Sequence, residues 1–154
     1  MDPQIHCRRV RIQAIGKLDL LPEPTLAAIR AAQEATATYD GMVLTVAVAY
    51  GGRAEIVDAV RSLLSSHRQS GATLAEAIEQ IDVEAISRHH YMPGMPDPDL
   101  IIRTSGEVRL SGFLLWQSAY SEFYFSDVYW PAFRRIDLLR AIRAYQQRHR
   151  RFGN

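Results

Sequence analysis

The sequence is poor in cysteine, in lysine and in long apolar runs, and each shortage excludes something. One cysteine among 154 residues, Cys7, leaves no partner for an intrachain disulfide and no thiolate cluster for a metal. That economy suits a reducing cytoplasm, although a lone cysteine does not define a compartment. Lys17 is the only lysine among eighteen basic residues, so an arginine here is informative through its position and not its abundance. No segment approaches the roughly 18 apolar residues that a bilayer span needs. Asp2, Pro3 and His6 interrupt any apolar run at the start, so the opening does not read as a signal peptide, and a soluble, cytoplasmic protein is expected. The net charge of +1 balances many charges, which argues against a nucleic-acid coat and predicts no nucleic-acid partner.

What is present suits one globular domain over residues 1–154, with 47% hydrophobic residues to build a core. Arg8 to Ile15 alternates arginine with β-branched residues and stops at Gly16, which predicts a strand opening the chain with no helix before it. Pro22 and Pro24 introduce a helix over Thr25 to Thr38. After the Asp40-Gly41 turn, Met42 to Tyr50 is nearly continuous and apolar, as in a parallel-sheet strand buried on both faces. Gly51-Gly52 ends it. Ile56, Val57, Val60, Leu63 and Leu64 then form one helical stripe that closes at Ser70-Gly71.

Short helices are predicted near Leu74–Gln80 and Val83–His89, a loop from Tyr91 to Pro98, and a strand over Leu100 to Arg103. Gly112 to Tyr120 is apolar and of ambiguous type. Leu138, Leu139, Ile142 and Tyr145 mark a final amphipathic helix. Alternating strands and helices imply an α/β fold with a parallel sheet.

Chemistry concentrates between Asp97 and Trp130. Arg103 to Ser111 (RTSGEVRLS) leaves a predicted strand at its carboxyl end, where open α/β sheets place their ligand crevice. Two guanidiniums, three hydroxyls and a glycine suit a diphosphate, because Arg forks match phosphate oxygens and a glycine turn can form an anion nest. The plainer alternative is a solvated loop with surface ion pairs. Glu122 lies in an aromatic stretch with Tyr120, Phe123, Tyr124, Phe125 and Tyr129, so it must be paired with an arginine, protonated or metal-bound. Those aromatics fit a core or an isoprenoid wall. Tyr50-Gly51-Gly52-Arg53 is either a tight turn or a phosphate-receiving helix start. His89 and His90 are adjacent, point in different directions and read as a helix end.

Together these segments are recognisable. Pro96 to Phe133 (PDPDLIIRTSGEVRLSGFLLWQSAYSEFYFSDVYWPAF) resembles the signature region of cis-prenyltransferases, the undecaprenyl diphosphate synthase family, at nearly every fixed position. Val46 to Val60 resembles the family's strand–YGGR–helix segment, and Arg150 to Gly153 resembles its R-x-G ending. The resemblance implies a parallel-sheet cis-prenyltransferase fold with flanking helices. It also implies a transferase that condenses isopentenyl diphosphate with an allylic diphosphate and sets a Z double bond.

By position it assigns Arg103, Arg109 and Ser111 to the diphosphate of isopentenyl diphosphate and Glu122 to Mg²⁺. Arg151 and Gly153 fall on an ending that, in dimers, reaches the partner's phosphates. The wording is similar to actinobacterial short-chain members that make products such as Z,E-farnesyl diphosphate. The resemblance further implies a homodimer or a complementary N-terminal half, and peripheral membrane association through the lipid product.

Two departures stand out. Val108 occupies a position where many long-chain members carry a histidine able to assist the metal. The family's D-G-N-x-R-W motif, which carries the catalytic Asp, does not occur in this sequence. The expected chain is therefore the C-terminal part of such an enzyme, with its N-terminal portion absent. Other readings are a non-catalytic subunit of a heteromeric prenyltransferase and an enzyme of the same fold that couples two allylic diphosphates.

Overall fold

Residue spacing accounts for most elements of the computed structural model, which describes residues 2–148. Two units emerge, Met1–Gly94 and Met95–Asn154. In the first, Asp2 caps a short helix, α1 (Pro3–Cys7), by accepting the Gln4 N–H at 2.8 Å. This helix was not expected. Arg9 then turns the chain at φ 50°, so the strand β1 covers Arg11–Ile15 and not Arg8 onward, and Cys7 is exposed on the helix.

Helix α2 (Glu23–Thr36) packs on β1. Thr36 is fully buried there: its Oγ accepts the Ile12 N–H at 3.0 Å and donates to the Ala32 carbonyl at 2.8 Å. A backbone donor on the side of β1 away from its partner strand is thereby satisfied. Strand β2 (Val43–Ala47) pairs with β1 in parallel, Arg11 opposite Val43 through Ile15 opposite Ala47. Gly16 makes the exit from β1 possible at φ +113°, where an added Cβ would meet the Val48 carbonyl oxygen at 2.1 Å.

The expectation of a strand buried on both faces is corrected here. β2 alternates, with Leu44 41% and Val46 45% exposed, because successive side chains point to opposite faces and only one face is covered. It also ends early, since Ala49 adopts φ 48°.

Helix α3 (Gly52–Gln69) follows, burying Ala59 and Leu63 while Val57 and Leu64 of the predicted stripe stay exposed. Helix α4 (Leu74–Glu79) opens on a Thr73–Glu76 capping box. Helix α5 (Val83–Ser87) packs against α3.

The second unit is built on β3 (Leu100–Arg103) and β4 (Glu122–Phe125), again parallel, with Leu100 opposite Glu122 and Arg103 opposite Phe125. The sequence reading did not identify β4 as a strand. The ambiguous apolar stretch before it is a series of turns and not a helix or strand. Helix α6 (Arg135–Gln146) packs on β4 and buries Ala141 completely. Helices on parallel sheets make this an α/β fold. Among the described residues, no helix is long and apolar enough to cross a membrane.

Candidate functional site

Arg103 closes β3 with its side chain only 17% exposed, and the loop beyond it curls tightly. Ser105 at φ 76° and Gly106 at φ 70° are successive left-handed residues, the first unusual for a side chain and the second natural for glycine. Their N–H groups are engaged: Ser105 donates to the Val128 carbonyl at 3.0 Å and Gly106 to that of Ser126 at 2.9 Å. The Ser105 and Gly106 N–H groups are therefore not free to form the backbone nest expected from the glycine. The curl stitches the loop to the segment after β4.

Those side chains line one pocket of about 200 Å³. Arg103, Thr104, Ser105, Arg109 and Ser111 make its polar wall, while Ile101, Ile102, Leu110, Phe113 and Phe123 make the apolar one. Glu107 accepts from Arg103 Nη2 and, at 2.8 Å, from Arg109 Nη2. The sequence reading assigned Glu107 no role, and its signal was the central place it holds between two arginines. Among the described residues, the buried Arg103 Nε has no hydrogen-bond partner. A buried donor without an acceptor is uncommon in a folded chain and sets Arg103 apart from the solvated arginines around it. Val108 lies outside this machinery at 76% exposed.

Glu122 is not brought to these arginines. It begins β4 while Arg103 ends β3, so three residue steps, about 10 Å, separate them along the strands. Its carboxylate accepts from Arg148 Nη1 at 2.5 Å, one of the alternatives the sequence left open. Among the described residues no three His, Cys, Asp or Glu side chains converge as a metal site. Mg²⁺ commonly takes one or two carboxylates and completes its shell with water and substrate phosphates. The donor set fits such an ion only through Glu122 as a single protein ligand. Arg151 and Gly153 lie outside the described residues.

The aromatic stretch divides between the alternatives. Phe123 joins the pocket wall and stacks with Phe125 at 6.1 Å, whereas Tyr120, Tyr129 and Trp130 are 69% or more exposed and belong to no core.

At the Tyr50–Arg53 turn, the first turn of α3 contains its own acid. Glu55, 1% exposed, accepts the Tyr91 N–H at 3.1 Å and the Tyr50 hydroxyl, and its Oε1 lies 3.3 Å from His90 Nδ1. Glu55 thus supplies the negative charge that a helix N-terminus favours. Beside it, Asp58 accepts from Lys17 and from the Tyr91 hydroxyl at 2.5 Å. The Lys17 ammonium holds the Asp58 carboxyl below its usual range, and burial followed by the Asp58 contact pushes the Tyr91 phenol up. His89 contacts Ser62 at 2.9 Å, so the two histidines do face different ways. The sequence could not show this cluster, because Glu55 and Tyr91 are 36 positions apart.

The chain is similar to known prenyltransferases. Residues 1–153 match the family described as "Putative undecaprenyl diphosphate synthase". An isoprenyl transferase of Deinococcus radiodurans is 59% identical over 153 residues, covering 99% of this chain and 56% of the relative. A (2Z,6E)-farnesyl diphosphate synthase of Mycolicibacterium smegmatis is 58% identical over 143 residues, covering 92% of this chain and 54% of the relative. The chain thus spans little more than half the length of these relatives. Among solved structures, lavandulyl diphosphate synthase from Lavandula x intermedia, in complex with dimethylallyl diphosphate, is similar with a TM-score of 0.88 and 37% identity. That likeness covers 97% of this chain and 63% of the other.

Proposed function

The chain belongs to the undecaprenyl diphosphate synthase family, and on that premise we propose that it carries the isopentenyl diphosphate half-site of a cis-prenyl diphosphate synthase. The observation that carries the reading is Arg103, a largely buried guanidinium with an unpartnered Nε in the wall of a pocket shared with Arg109 and Ser111. Guanidiniums are suited to a diphosphate, and the apolar wall to a short hydrocarbon. A volume of about 200 Å³ lies below the range of drug-sized pockets and suits a five-carbon unit better than a long chain.

The reaction is alkyl transfer. The allylic diphosphate ionises, isopentenyl diphosphate attacks through its double bond, and loss of a proton sets the new Z double bond. When bound, Mg²⁺ would neutralise diphosphate charge, and Glu122 at the amino end of β4 would be its protein ligand. Likeness to the (2Z,6E)-farnesyl diphosphate synthase supports a short-chain product.

The allylic diphosphate and the catalytic Asp belong to the remainder of a full-length enzyme. A complementary N-terminal half, or a second copy in a homodimer, covers the apolar face that Leu44 and Val46 expose. Work in the cytoplasm, with membrane contact only through the lipid product, fits an exposed lone thiol. Retention of Arg103, Arg109 and Ser111 speaks against a non-catalytic subunit. The similar lavandulyl diphosphate synthase structure holds dimethylallyl diphosphate, an allylic diphosphate, so coupling of two allylic diphosphates is the second reading. Calorimetric titration separates them: isopentenyl diphosphate should bind this chain in preference to dimethylallyl diphosphate, and Arg103→Ala should remove that binding. Equal or reversed preference would favour the second reading.

A further inference from the structure

Arg103 and Arg109 share one acidic neighbour. Each carboxylate oxygen of Glu107 holds one guanidinium, Oε2 that of Arg103 and Oε1 that of Arg109 at 2.8 Å. The left-handed pair Ser105 and Gly106 bends the chain so that a residue four positions after Arg103 returns to it. We propose that Glu107 is the positioning residue of this pocket, holding both guanidiniums in place so that a diphosphate meets them already ordered. The proposal rests on the diphosphate reading above and deepens it.

The two arginines need Glu107 for different reasons. Arg109 is 72% exposed, and without a carboxylate its long side chain samples many rotamers that a ligand would have to order. Arg103 is largely buried, and Glu107 accepts from its Nη2, which fixes the plane of the guanidinium. One carboxylate between two guanidiniums leaves a net positive charge for the anion. Glu107 is itself 41% exposed, so water and salt screen its repulsion of an arriving phosphate, whereas its hydrogen bonds still fix orientation. Ordering therefore outweighs repulsion, and removing the charge should weaken binding.

The test is titration of isopentenyl diphosphate into the 154-residue chain as wild type, Glu107→Gln, Glu107→Asp, Arg103→Ala, Arg109→Ala, and Glu107→Gln with Arg109→Ala. Glu107→Gln should weaken binding about tenfold, the scale expected for losing preorganisation of one long side chain. Its thermal midpoint should hold, and the Arg109 Nε–H NMR signal should collapse toward that of a free side chain. Glu107→Asp, with the charge but a shorter reach, should fall between. In the Arg109→Ala background, Glu107→Gln should cost less than it does alone. Unchanged or tighter binding in Glu107→Gln, or fully additive losses, overturns the proposal while leaving the diphosphate reading intact if Arg103→Ala abolishes binding. No binding by the wild type overturns both.

Discussion

Arg148, just beyond the last helix, donates to Glu122 at 2.5 Å across 26 positions of sequence. A guanidinium therefore already holds one oxygen, Oε2, of the carboxylate proposed for Mg²⁺. The two roles open to Glu122, ion pair and metal ligand, become competing states of one group.

That competition is measurable in a full-length enzyme containing this segment. Glu122→Gln should lower turnover and raise the Mg²⁺ concentration needed for half-maximal rate. Arg148→Ala should lower that concentration, with a stability loss of no more than about 1 kcal/mol for a pair this exposed. If Glu122→Gln keeps normal metal dependence and only melts earlier, the pair is structural.

Replacing Arg103 or Arg109 with alanine in the same enzyme should raise KM for isopentenyl diphosphate more than KM for the allylic substrate. Loss of one charge-assisted contact costs roughly 1.5–3 kcal/mol, or about 10- to 150-fold. Steady-state kinetics with each substrate varied in turn decides it; unchanged isopentenyl kinetics in both variants sinks the assignment.

In the first unit, Glu55→Ala should destabilise without touching the diphosphate pocket. It deprives the Tyr91 N–H and the Tyr50 hydroxyl of their acceptor inside a nearly dry site, a loss of about 3 kcal/mol. Urea unfolding followed by circular dichroism should show the loss, with binding at the arginine loop unchanged at low denaturant.

Asp58 makes stability depend on acid. Its folded pKa is depressed, first by the hydrogen bond from Lys17 and then by that from Tyr91. Its contribution is therefore present above the unfolded carboxyl value of about 3.9 and lost as pH falls through the lower folded value. Wild-type stability should decline from about pH 5 downward, and Asp58→Asn should flatten that limb. A limb of equal slope in the variant would show that other carboxylates control it.

The chain alone should bind isopentenyl diphosphate but make no prenyl product from isopentenyl diphosphate, geranyl diphosphate and Mg²⁺. Activity should appear when a complementary N-terminal half is added. Product from the isolated chain would mean that one of its own residues replaces the catalytic Asp.

Much was legible in residue order because it depends on local chemistry. The period of the apolar residues marks α3 and α6, and Ser70-Gly71 closes α3, since the helical repeat is a property of neighbouring positions. The Arg103–Ser111 loop was legible as a candidate anion site from side-chain type alone, and folding gathers its side chains into one pocket.

Tertiary structure decided what depends on distant partners. It engaged the Ser105 and Gly106 N–H groups with the chain after β4, so they do not form the expected backbone nest. It gave Glu107 two arginines, gave Glu122 Arg148, and closed Glu55 in with Tyr50, His90 and Tyr91. It also left one face of β2 exposed where the run of apolar residues suggested burial on both. Composition records how apolar a strand is, but burial is decided by which layer packs on which face, and a polar group's role by the partner that folding brings within hydrogen-bond reach.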